Sequence, residues 1–344
     1  GSTCTTADPC QGANIVQFAA GGNGILTSQQ TFYTQGINPF RIVADTTGNF
    51  IYVLDHDSPD NSTCALALGS GVTACGDITA FQVDPTTGRL TLIVNAQVTS
   101  ASGTALPFFP VPANPIDFTI ASTYILTLSG TPAAGDYVFP YTRSPSNGQL
   151  AVNQNSPQPI NTMQATAIVY AGFVYVLDND PITYTPSSTN SPITAPSQIL
   201  PLPIGTSGAL QSQTGGAVPD DPSLSNPIYL IAETSGKWVY VLNQGDNSNT
   251  NNPQSGIAGY TIDLQTKQLT TMSGSPFGTG AGPQCIVEDP SNQFIYTANF
   301  NDSTVTGRII DQNVGNLNAL PSKANKAYPL EGPPTWCLVS NRTS

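Results

Sequence analysis

One short motif recurs along this chain of 344 residues and constrains its fold more than any other feature. A run of β-branched and aromatic residues, as is typical of buried strands, ends in aspartate or asparagine at four places. The copies are FIYVLD from Phe50, FVYVLD from Phe173, WVYVLN from Trp238 and FIYTAN from Phe294. A motif that recurs along a chain indicates a repeated structural unit, so this motif predicts a repeat fold. The acidic residue at the end of the motif is therefore interpreted after the repeat has been described.

Each repeat is predicted to contain four strands separated by Gly, Pro, Asp and Asn turns. In the first unit these are NPFRIVAD from Asn38, FIYVLD, DITAFQVD from Asp77 and LTLIV from Leu90. Further units start near Asn114, Met163, Asn226 and Gly282. Four-stranded units of about 50 to 60 residues predict an all-β fold, a β-propeller with antiparallel blades.

The two chain ends are predicted to share one further blade. ANIVQFAA from Ala13 and GILTSQQ from Gly24 match the third and fourth strands, and PTWCLVSN from Pro334 matches the first. The closing blade would combine residues 1–32 with residues 333–344, and closure would remove exposed sheet edges. We therefore expect a single domain over residues 1–344 with six blades, whereas a blade length of ~45 residues gives seven as the alternative.

Charge excludes several classes of partner. The chain carries nine Lys and Arg against 21 Asp and Glu, a net charge of −12. Nucleic acids and anionic membrane surfaces are both bound through clustered cations, so neither is expected as a partner. No apolar run approaches the ~20 residues that a membrane span needs. A protein or carbohydrate partner, or self-association through the terminal strands, remains open.

An even number of cysteines indicates disulfides and an oxidising compartment. They are Cys4, Cys10, Cys64, Cys75, Cys285 and Cys337. Local spacing favours Cys4–Cys10 and Cys64–Cys75, and Cys285 and Cys337 hold equivalent positions in neighbouring repeats. We expect a mature secreted chain that is extracellular, periplasmic or at the cell surface. Formal glycosylation acceptors, relevant only if the source glycosylates, are Asn61, Asn301 and Asn341.

Polar residues follow the second strand of four units, where the loops of a propeller share one face. The strands themselves end in Asp55, Asp178, Asn243 and Asn299. Because these residues recur, we interpret each as a cap of its own turn through side-chain to backbone bonds. In the first unit, oxygen ligands of the kind that calcium prefers are closely spaced at Asp55, Asp57, Asp60 and Asn61. The cluster lacks the glycine and the distal glutamate of an EF-hand calcium loop. We expect that the protein requires no cofactor, and calcium is the candidate ion for this cluster.

The repeated strands resemble those of a known family. FIYVLD, FVYVLD and WVYVLN, with Asn-Pro strands before them and turns such as VDPTTGRL after them, are similar to the YVTN-type propellers of the lactonase family. The resemblance covers nearly the whole chain and implies a propeller, typically with seven blades. That family includes 6-phosphogluconolactonase-like and muconate-cyclase-like proteins and also secreted propellers with no assigned activity. Its blade motifs specify fold rather than chemistry.

His56 and Arg41 are the candidate catalytic residues. His56 is the single histidine, which excludes a multi-histidine metal site. Adjacent strand residues point to opposite faces, so neither Asp55 nor Asp57 is expected to orient its ring. Arg41, on an innermost strand, could hold a carboxylate or a lactone carbonyl. The alternative for Arg41 is a buried pair with Asp117 on the next innermost strand, because an unpaired buried charge is costly.

Tyrosine occupies one position of the repeated strand in four units. These residues are Tyr52, Tyr175, Tyr240 and Tyr296. Repetition indicates packing between blades with each hydroxyl satisfied, rather than an exposed platform that binds sugars.

Two functions are consistent with these features. The first is a non-catalytic binding, scaffold or self-assembling protein, which is favoured because few charges and no clear catalytic constellation are found. The alternative, implied by the resemblance, is a lactonase-type hydrolase acting at the mouth of the axial channel. Such an enzyme needs a base or a metal-bound water, and a cation for the oxyanion. Convergence of Arg41, His56 and an acidic pair would favour the hydrolase.

Overall fold

The computed structural model describes residues 14–20, 26–95, 97–100, 102–131, 133–152, 157–186, 189, 191–211, 215–246, 254–320 and 328–334. Over these residues the chain forms antiparallel strands with one α-helix and one 3-10 helix, which confirms the all-β prediction. No helix of this part of the chain is long and apolar enough to cross a membrane. The chain divides into two compact units, Gly1–Asn161 with Gly205–Leu210, and Thr162–Ile204 with Gln211–Thr343.

The first unit contains one hairpin and two sheets. The hairpin pairs β1 (Asn14–Ala20) with β2 (Leu26–Tyr33). The first sheet has the order β3 (Ile37–Ala44), β4 (Phe50–Asp57), β5 (Cys75–Val83) and β6 (Leu90–Leu92), with β7 (Phe109–Pro112) paired to β5. The second sheet has the order β8 (Pro115–Ala121), β9 (Tyr124–Thr131), β10 (Gly135–Arg143) and β11 (Leu150–Val152), with β12 (Gln158–Pro159) paired to β10.

The second unit contains three sheets and a small hairpin. The third sheet is β13 (Ala165–Tyr170), β14 (Val174–Asp178), β17 (Gln198–Leu202) and β18 (Val218–Pro219), and the hairpin is β15 (Ile182–Tyr184) with β16 (Ile193–Ala195). The fourth sheet is β19 (Pro227–Ala232), β20 (Trp238–Asn243), β21 (Gly256–Ile262) and β22 (Leu269–Thr271). The fifth sheet is β23 (Pro283–Glu288), β24 (Phe294–Asn299), β25 (Thr304–Ile310) and β26 (Leu317–Ala319), with β27 (Tyr328–Pro329) paired to β25.

The fourth strand of the third sheet is described only in part. The sequence predicts it in SGALQSQ from Ser207, and its described residues return antiparallel beside the chain that continues β17. The Gly205 N–H donates to the Ala209 carbonyl and the Gln211 N–H to the Pro203 carbonyl, both at 2.8 Å. β18 is an additional strand, which pairs with the beginning of β17 as β12 does with β10.

The short outer strands carry proline, which has no N–H to offer to a further strand. β7, β12, β18 and β27 each pair with the beginning of the third strand of their sheet. Their prolines are Pro110, Pro112, Pro159, Pro219 and Pro329. Proline at these positions protects the sheet edges against pairing with another chain.

The Asn-Pro motif has a local structural cause. Asn38, Asn114 and Asn226 adopt φ values of 60°, 54° and 51°, and Gly282 takes φ 61° at the start of the fifth sheet. Asparagine tolerates this left-handed conformation better than other non-glycine residues, and glycine adopts it freely. The proline that follows restricts φ to values compatible with an extended strand, so the motif sets the direction in which the chain enters the first strand.

Each unit buries its own apolar core between facing sheets. In the first unit, Tyr52, Leu54 and Ile78 of the first sheet pack with Phe118 and Phe139 of the second. The β1–β2 hairpin covers Val53 and Phe81 on the first sheet, through Ile15 and Phe32. In the second unit, one cluster contains Leu177, Val239 and Tyr260, and another contains Trp238, Tyr240 and Ile295. Second and third strands supply most of these core residues.

A disulfide closes the insertion between β4 and β5. Cys64 and Cys75 are bonded, with a Cα–Cα distance of 5.7 Å, which confirms the predicted pair. The loop contains the 3-10 helix Asn61–Thr63 and α1 (Cys64–Leu68). Cys285 is also disulfide-bonded. Cys4, Cys10 and Cys337 lie outside the described residues, as do residues 335–344 of the closing blade, so their pairing and the ring closure stay predictions.

Candidate functional site

The polar ends of the second strands are buried inside their sheets. Asp55, Ser129, Asp178, Asn243 and Asn299 occupy equivalent positions and are each 0% exposed. Asp55, Asp178 and Asn299 bond to side chains on the third strand, because each residue still lies within the sheet. Gln198 Nε2 donates to Asp178 Oδ2 at 2.8 Å, and Asn299 Nδ2 donates to Thr304 Oγ1 at 2.9 Å. The sequence predicts that Asp55, Asp178, Asn243 and Asn299 cap their own turns, but these bonds of Asp178 and Asn299 go to the neighbouring strand.

In the first sheet the equivalent pair consists of two acids. Asp55 on β4 lies directly opposite Asp77 on β5, and both are 0% exposed. Thr79 Oγ1 lies 3.2 Å from Asp55 Oδ2 and 3.4 Å from Asp77 Oδ1. Asp55 Oδ1 and Asp77 Oδ2 are buried without a hydrogen-bond donor. Burial raises the pKa of Asp55 to about 6, and burial with the neighbouring Asp55 charge raises the pKa of Asp77 well above its usual range.

The other calcium candidates of this loop point to separate partners. Asp57 Oδ2 accepts from Asn38 Nδ2 at 3.2 Å, and Asp60 Oδ1 accepts from the Ser62 N–H at 2.9 Å to cap the 3-10 helix. Asn61 Oδ1 lies 3.7 Å from the Cys64 sulfur. Among the described residues, no group of three or more His, Cys, Asp or Glu side chains could hold a metal ion. The four-residue calcium set stays a prediction.

Arg41 and His56 contact the same aromatic ring. The Arg41 Cζ atom lies 5.9 Å from the centre of the Phe40 ring, and the His56 and Phe40 ring centres are 6.1 Å apart. His56 Nδ1 lies 3.3 Å from Asp57 Oδ1, and both side chains are about half exposed, at 49% and 53%. We call Phe40, Arg41, His56 and Asp57 the Phe40 cluster. The expectation that no neighbour orients His56 is wrong, because both residues lie at the strand end, where their side chains reach solvent.

A buried acid holds Arg41 in this cluster. Arg41 Nε donates to Asp117 Oδ1 at 3.3 Å, and the Asp117 side chain is only 6% exposed against 20% for that of Arg41. The predicted alternative, a pair with Asp117, is therefore confirmed. The paired Arg41 side chain is still partly exposed beside Phe40, so it can also contact a ligand.

Other polar residues expected on this face bond within their own sheets, mainly to the segment that precedes the first strand. Asp180 accepts from the Met163 N–H at 2.9 Å and from Gln164 Nε2 at 3.0 Å. Asp302 accepts from the Ala281 N–H at 2.9 Å and from Thr304 Oγ1 at 2.7 Å. The acceptors Asn61 and Asn301 are exposed, whereas Asn341 lies outside the described residues, and glycosylation stays a prediction.

The second unit contains an open cleft of about 390 Å³. Its walls include Gly172, Ser235 and Lys267. The polar groups there serve their own turn, since Glu233 accepts from the Ser235 N–H and hydroxyl group at 2.9 Å and 2.6 Å. None of the sequence-predicted site residues lines this cleft, so we do not place the chemistry there.

Sequence reasoning missed Asp77 and Phe40. Asp77 was assigned to a third strand, but only the β4–β5 register shows that it lies opposite Asp55. Phe40 lies where the register of β3 and β4 shifts, between Pro39 and Arg41. A bulge of this kind redirects side chains and leaves no clear sequence signal.

The comparisons with known proteins agree with the fold. Residues 205–333 match the family described as Lactonase, 7-bladed beta-propeller. No curated protein matches the chain. Similar solved structures include a protein provisionally named 6-phosphogluconolactonase from Bacteroides uniformis ATCC 8492, at 12% identity and a TM-score of 0.54, covering 94% of each chain.

Two further structures are similar. A protein from Lactobacillus plantarum is 17% identical with a TM-score of 0.53, over 93% of this chain and 81% of that one. A functionally unknown protein from Desulfotomaculum acetoxidans DSM 771 is 13% identical with a TM-score of 0.54, over 85% and 72%. Identities this low concern the fold alone. With the family match, they confirm the resemblance read from the strand motifs: the chain has the fold of a lactonase-type β-propeller.

Proposed function

We propose that the chain is a lactonase-type hydrolase that opens a lactone at the Phe40 cluster. The observation that carries this proposal is the contact of Arg41 and His56 with one ring, that of Phe40. General-base hydrolysis of an ester uses a base such as an imidazole together with a positive charge for the oxyanion. The lactonase family match supports the reaction class, although it covers residues 205–333 and the Phe40 cluster lies outside that range.

In the proposed reaction His56 is the general base. Asp57 Oδ1, 3.3 Å from Nδ1, holds the ring so that Nε2 faces a water molecule. Nε2 takes a proton from the water as its oxygen attacks the lactone carbonyl. The tetrahedral intermediate then collapses, the bond to the ring oxygen breaks, and the imidazolium returns the proton to that oxygen. The product is a hydroxy acid, and the net reaction consumes one water.

Arg41 supplies the positive charge for the developing oxyanion. Its side chain, 20% exposed, is held by Asp117 and lies beside the Phe40 ring. A positioned cation in a partly desolvated site stabilises an oxyanion more strongly than one in water. The Phe40 ring offers an apolar surface for the carbon skeleton of the lactone. Asp57 and Asp117 are positioning residues in this scheme.

The comparisons support the lactonase alternative better than the non-catalytic scaffold role that composition favours. The Cys64–Cys75 disulfide supports an oxidising compartment such as the periplasm or the cell exterior.

We also propose that a blade shared by the two chain ends closes the ring. The blade number, six by our count, stays open against the seven in the family description.

The test is hydrolysis of glucono-δ-lactone by the purified chain, with the spontaneous rate subtracted. We expect His56→Gln to lower kcat/KM by about 10² to 10⁴-fold, the usual contribution of a general base. Arg41→Gln should reduce the rate, with partial recovery in Arg41→Lys. Asp84→Asn, at an exposed turn of the same unit, is the matched control and should leave the rate unchanged. A wild-type rate equal to that of buffer, or full activity in His56→Gln, would contradict the proposal.

A further inference from the structure

We propose that the opposed ends of β4 and β5 form a binding site for a divalent cation. Its ligands are Asp55 Oδ1, Asp77 Oδ2 and Thr34 Oγ1. This site is distinct from the Phe40 cluster and does not depend on lactone hydrolysis.

Two other sheets of the same chain show which side chains face each other at this position. Where the third sheet has Asp178 opposite Gln198, the amide donates to the carboxylate at 2.8 Å. The fifth sheet has Asn299 opposite Thr304, with a hydrogen bond of 2.9 Å between their side chains. In these sheets a hydrogen-bond donor meets an acceptor. The first sheet instead places Asp77 opposite Asp55, where two carboxylates offer acceptors only when both are ionised.

The available donors do not satisfy the pair. Thr79 has one hydroxyl proton and lies within reach of both carboxyls, so it can serve only one of them. Asp55 Oδ1 and Asp77 Oδ2 are buried without a hydrogen-bond donor. The buried Thr34 side chain lies close enough to lower the pKa of Asp55, which places its hydroxyl oxygen beside the pair. Among the described residues, neither acid forms an ion pair with a lysine or an arginine. Like charges directly opposite in a sheet destabilise it, and burial increases that cost.

The donor set indicates the class of ion. Two carboxylate oxygens and a hydroxyl oxygen are hard ligands, which suit calcium or magnesium rather than zinc or copper. One divalent cation balances the charge of two carboxylates. Calcium is favoured because it accepts irregular oxygen sets, whereas magnesium demands near-octahedral geometry. The proposed site shares Asp55 with the predicted calcium set, and it takes Asp77 and Thr34 as the other ligands instead of Asp57, Asp60 and Asn61.

The site lies under the connection between β2 and β3. The Gly36 N–H lies close enough to lower the pKa of Asp55, and a Cβ atom at Gly36 would come within 2.2 Å of Asp77 Oδ2. The Gln35 N–H donates to Thr79 Oγ1 at 2.9 Å. Residues 34–36 therefore cover the two acids, and a bound ion would tie the β1–β2 hairpin to the first sheet.

The experiment uses the full chain stripped with EDTA. Its Tm is measured with added CaCl₂ or MgCl₂, and calcium binding is measured by equilibrium dialysis. We expect one calcium ion per chain and a Tm increase of about 3 to 5 °C at a concentration about 100-fold above Kd. Asp77→Gln copies the Asp178–Gln198 pair and should abolish both responses. Asp57→Asn is the control that should retain them.

Three results would overturn the site. They are no calcium-dependent rise in Tm, no bound calcium, or an unchanged response in Asp77→Gln. The first two results would mean that the two acids share a proton instead, and the third would mean that calcium binds elsewhere. Should Asp77→Gln fail to fold, Thr34→Val provides the second variant. It keeps both carboxylates and removes one ligand, so it should weaken calcium binding about tenfold, and unchanged affinity would count against the proposal.

Discussion

The hydroxyl group of Tyr52 on β4 donates to the carbonyl oxygen of Gly148 in the second sheet, over 3.0 Å. The same bond recurs from Tyr175 to the Lys267 carbonyl at 2.9 Å and from Tyr240 to the Gly315 carbonyl at 2.7 Å. In each case a second-strand tyrosine reaches the turn between the third and fourth strands of the next sheet. The prediction that these tyrosines pack between blades with satisfied hydroxyls is confirmed for Tyr52, Tyr175 and Tyr240.

Tyr52→Phe should destabilise the protein by about 0.5 to 1.5 kcal/mol, the usual net value of one hydrogen bond. The ring stays in the core, and the loss comes from the unsatisfied Gly148 carbonyl. Burial raises the pKa of Tyr52 to about 12, so the hydroxyl keeps its proton at ordinary pH. Urea unfolding measures the change. Tyr33→Phe, at a side chain that is 54% exposed, is the control and should have no effect.

Much of this fold could be predicted from the sequence because the informative residues repeat. Each copy of the tyrosine motif gives a second strand, and the Asn-Pro pairs at Asn38, Asn114 and Asn226 give the entries to three first strands, since both depend on local propensity and periodicity. Cys64 and Cys75 were predictable for the same reason, because their short spacing limits the alternatives.

The site was less predictable because it depends on register and on contacts between strands far apart in the sequence. Asp55 and Asp77 are separated by 22 positions, and only their pairing across β4 and β5 makes them a carboxylate pair. A shift by one residue would send Asp77 to the other face of the sheet. Likewise, the contact of Phe40 with His56 depends on the bulge after Pro39.

Removing the disulfide should destabilise the chain by about 3 kcal/mol, on the loop-entropy model for a loop of this length. Cys64 and Cys75 are separated by 11 residues, and both are buried. The matched variant is Cys64→Ser with Cys75→Ser, compared with wild type by urea unfolding under non-reducing conditions. A loss well below 1 kcal/mol would mean that the helical segment α1 holds the loop without the bond.

Stability in EDTA should fall as pH rises through the window set by Asp55 and Asp77. The folded pKa of Asp55 is about 6, above its ordinary value near 4, so the folded state holds a proton that the unfolded state has lost. Unfolding therefore becomes easier as pH rises from about 4 to about 6, by an amount on the order of 3 kcal/mol. Below pH 4 both states are protonated, and the effect is absent.

Asp77→Asn isolates this contribution from other groups that act in the same direction. Burial also raises the pKa of Asp178 to about 6 and that of Glu288 to about 7. Urea unfolding of both proteins at pH 4.5, 5.5, 6.5 and 7.5 gives the two slopes. The variant should lose stability less steeply than wild type, because the introduced amide group can donate to Asp55. Parallel slopes would mean that the carboxylate pair does not titrate in this range.

Gly36→Ala should destabilise the protein by about 1 to 3 kcal/mol, as expected for overpacking. The added Cβ atom would lie 2.2 Å from Asp77 Oδ2 and 2.4 Å from Asp55 Cβ, so the connection must move away from the acids. The cost is steric, because Gly36 does not have a positive φ. Gly332→Ala, which meets nothing within 4 Å, is the control and should change stability by less than about 0.5 kcal/mol. If the two variants unfold at the same urea concentration, residues 34–36 do not lie against the two acids as described.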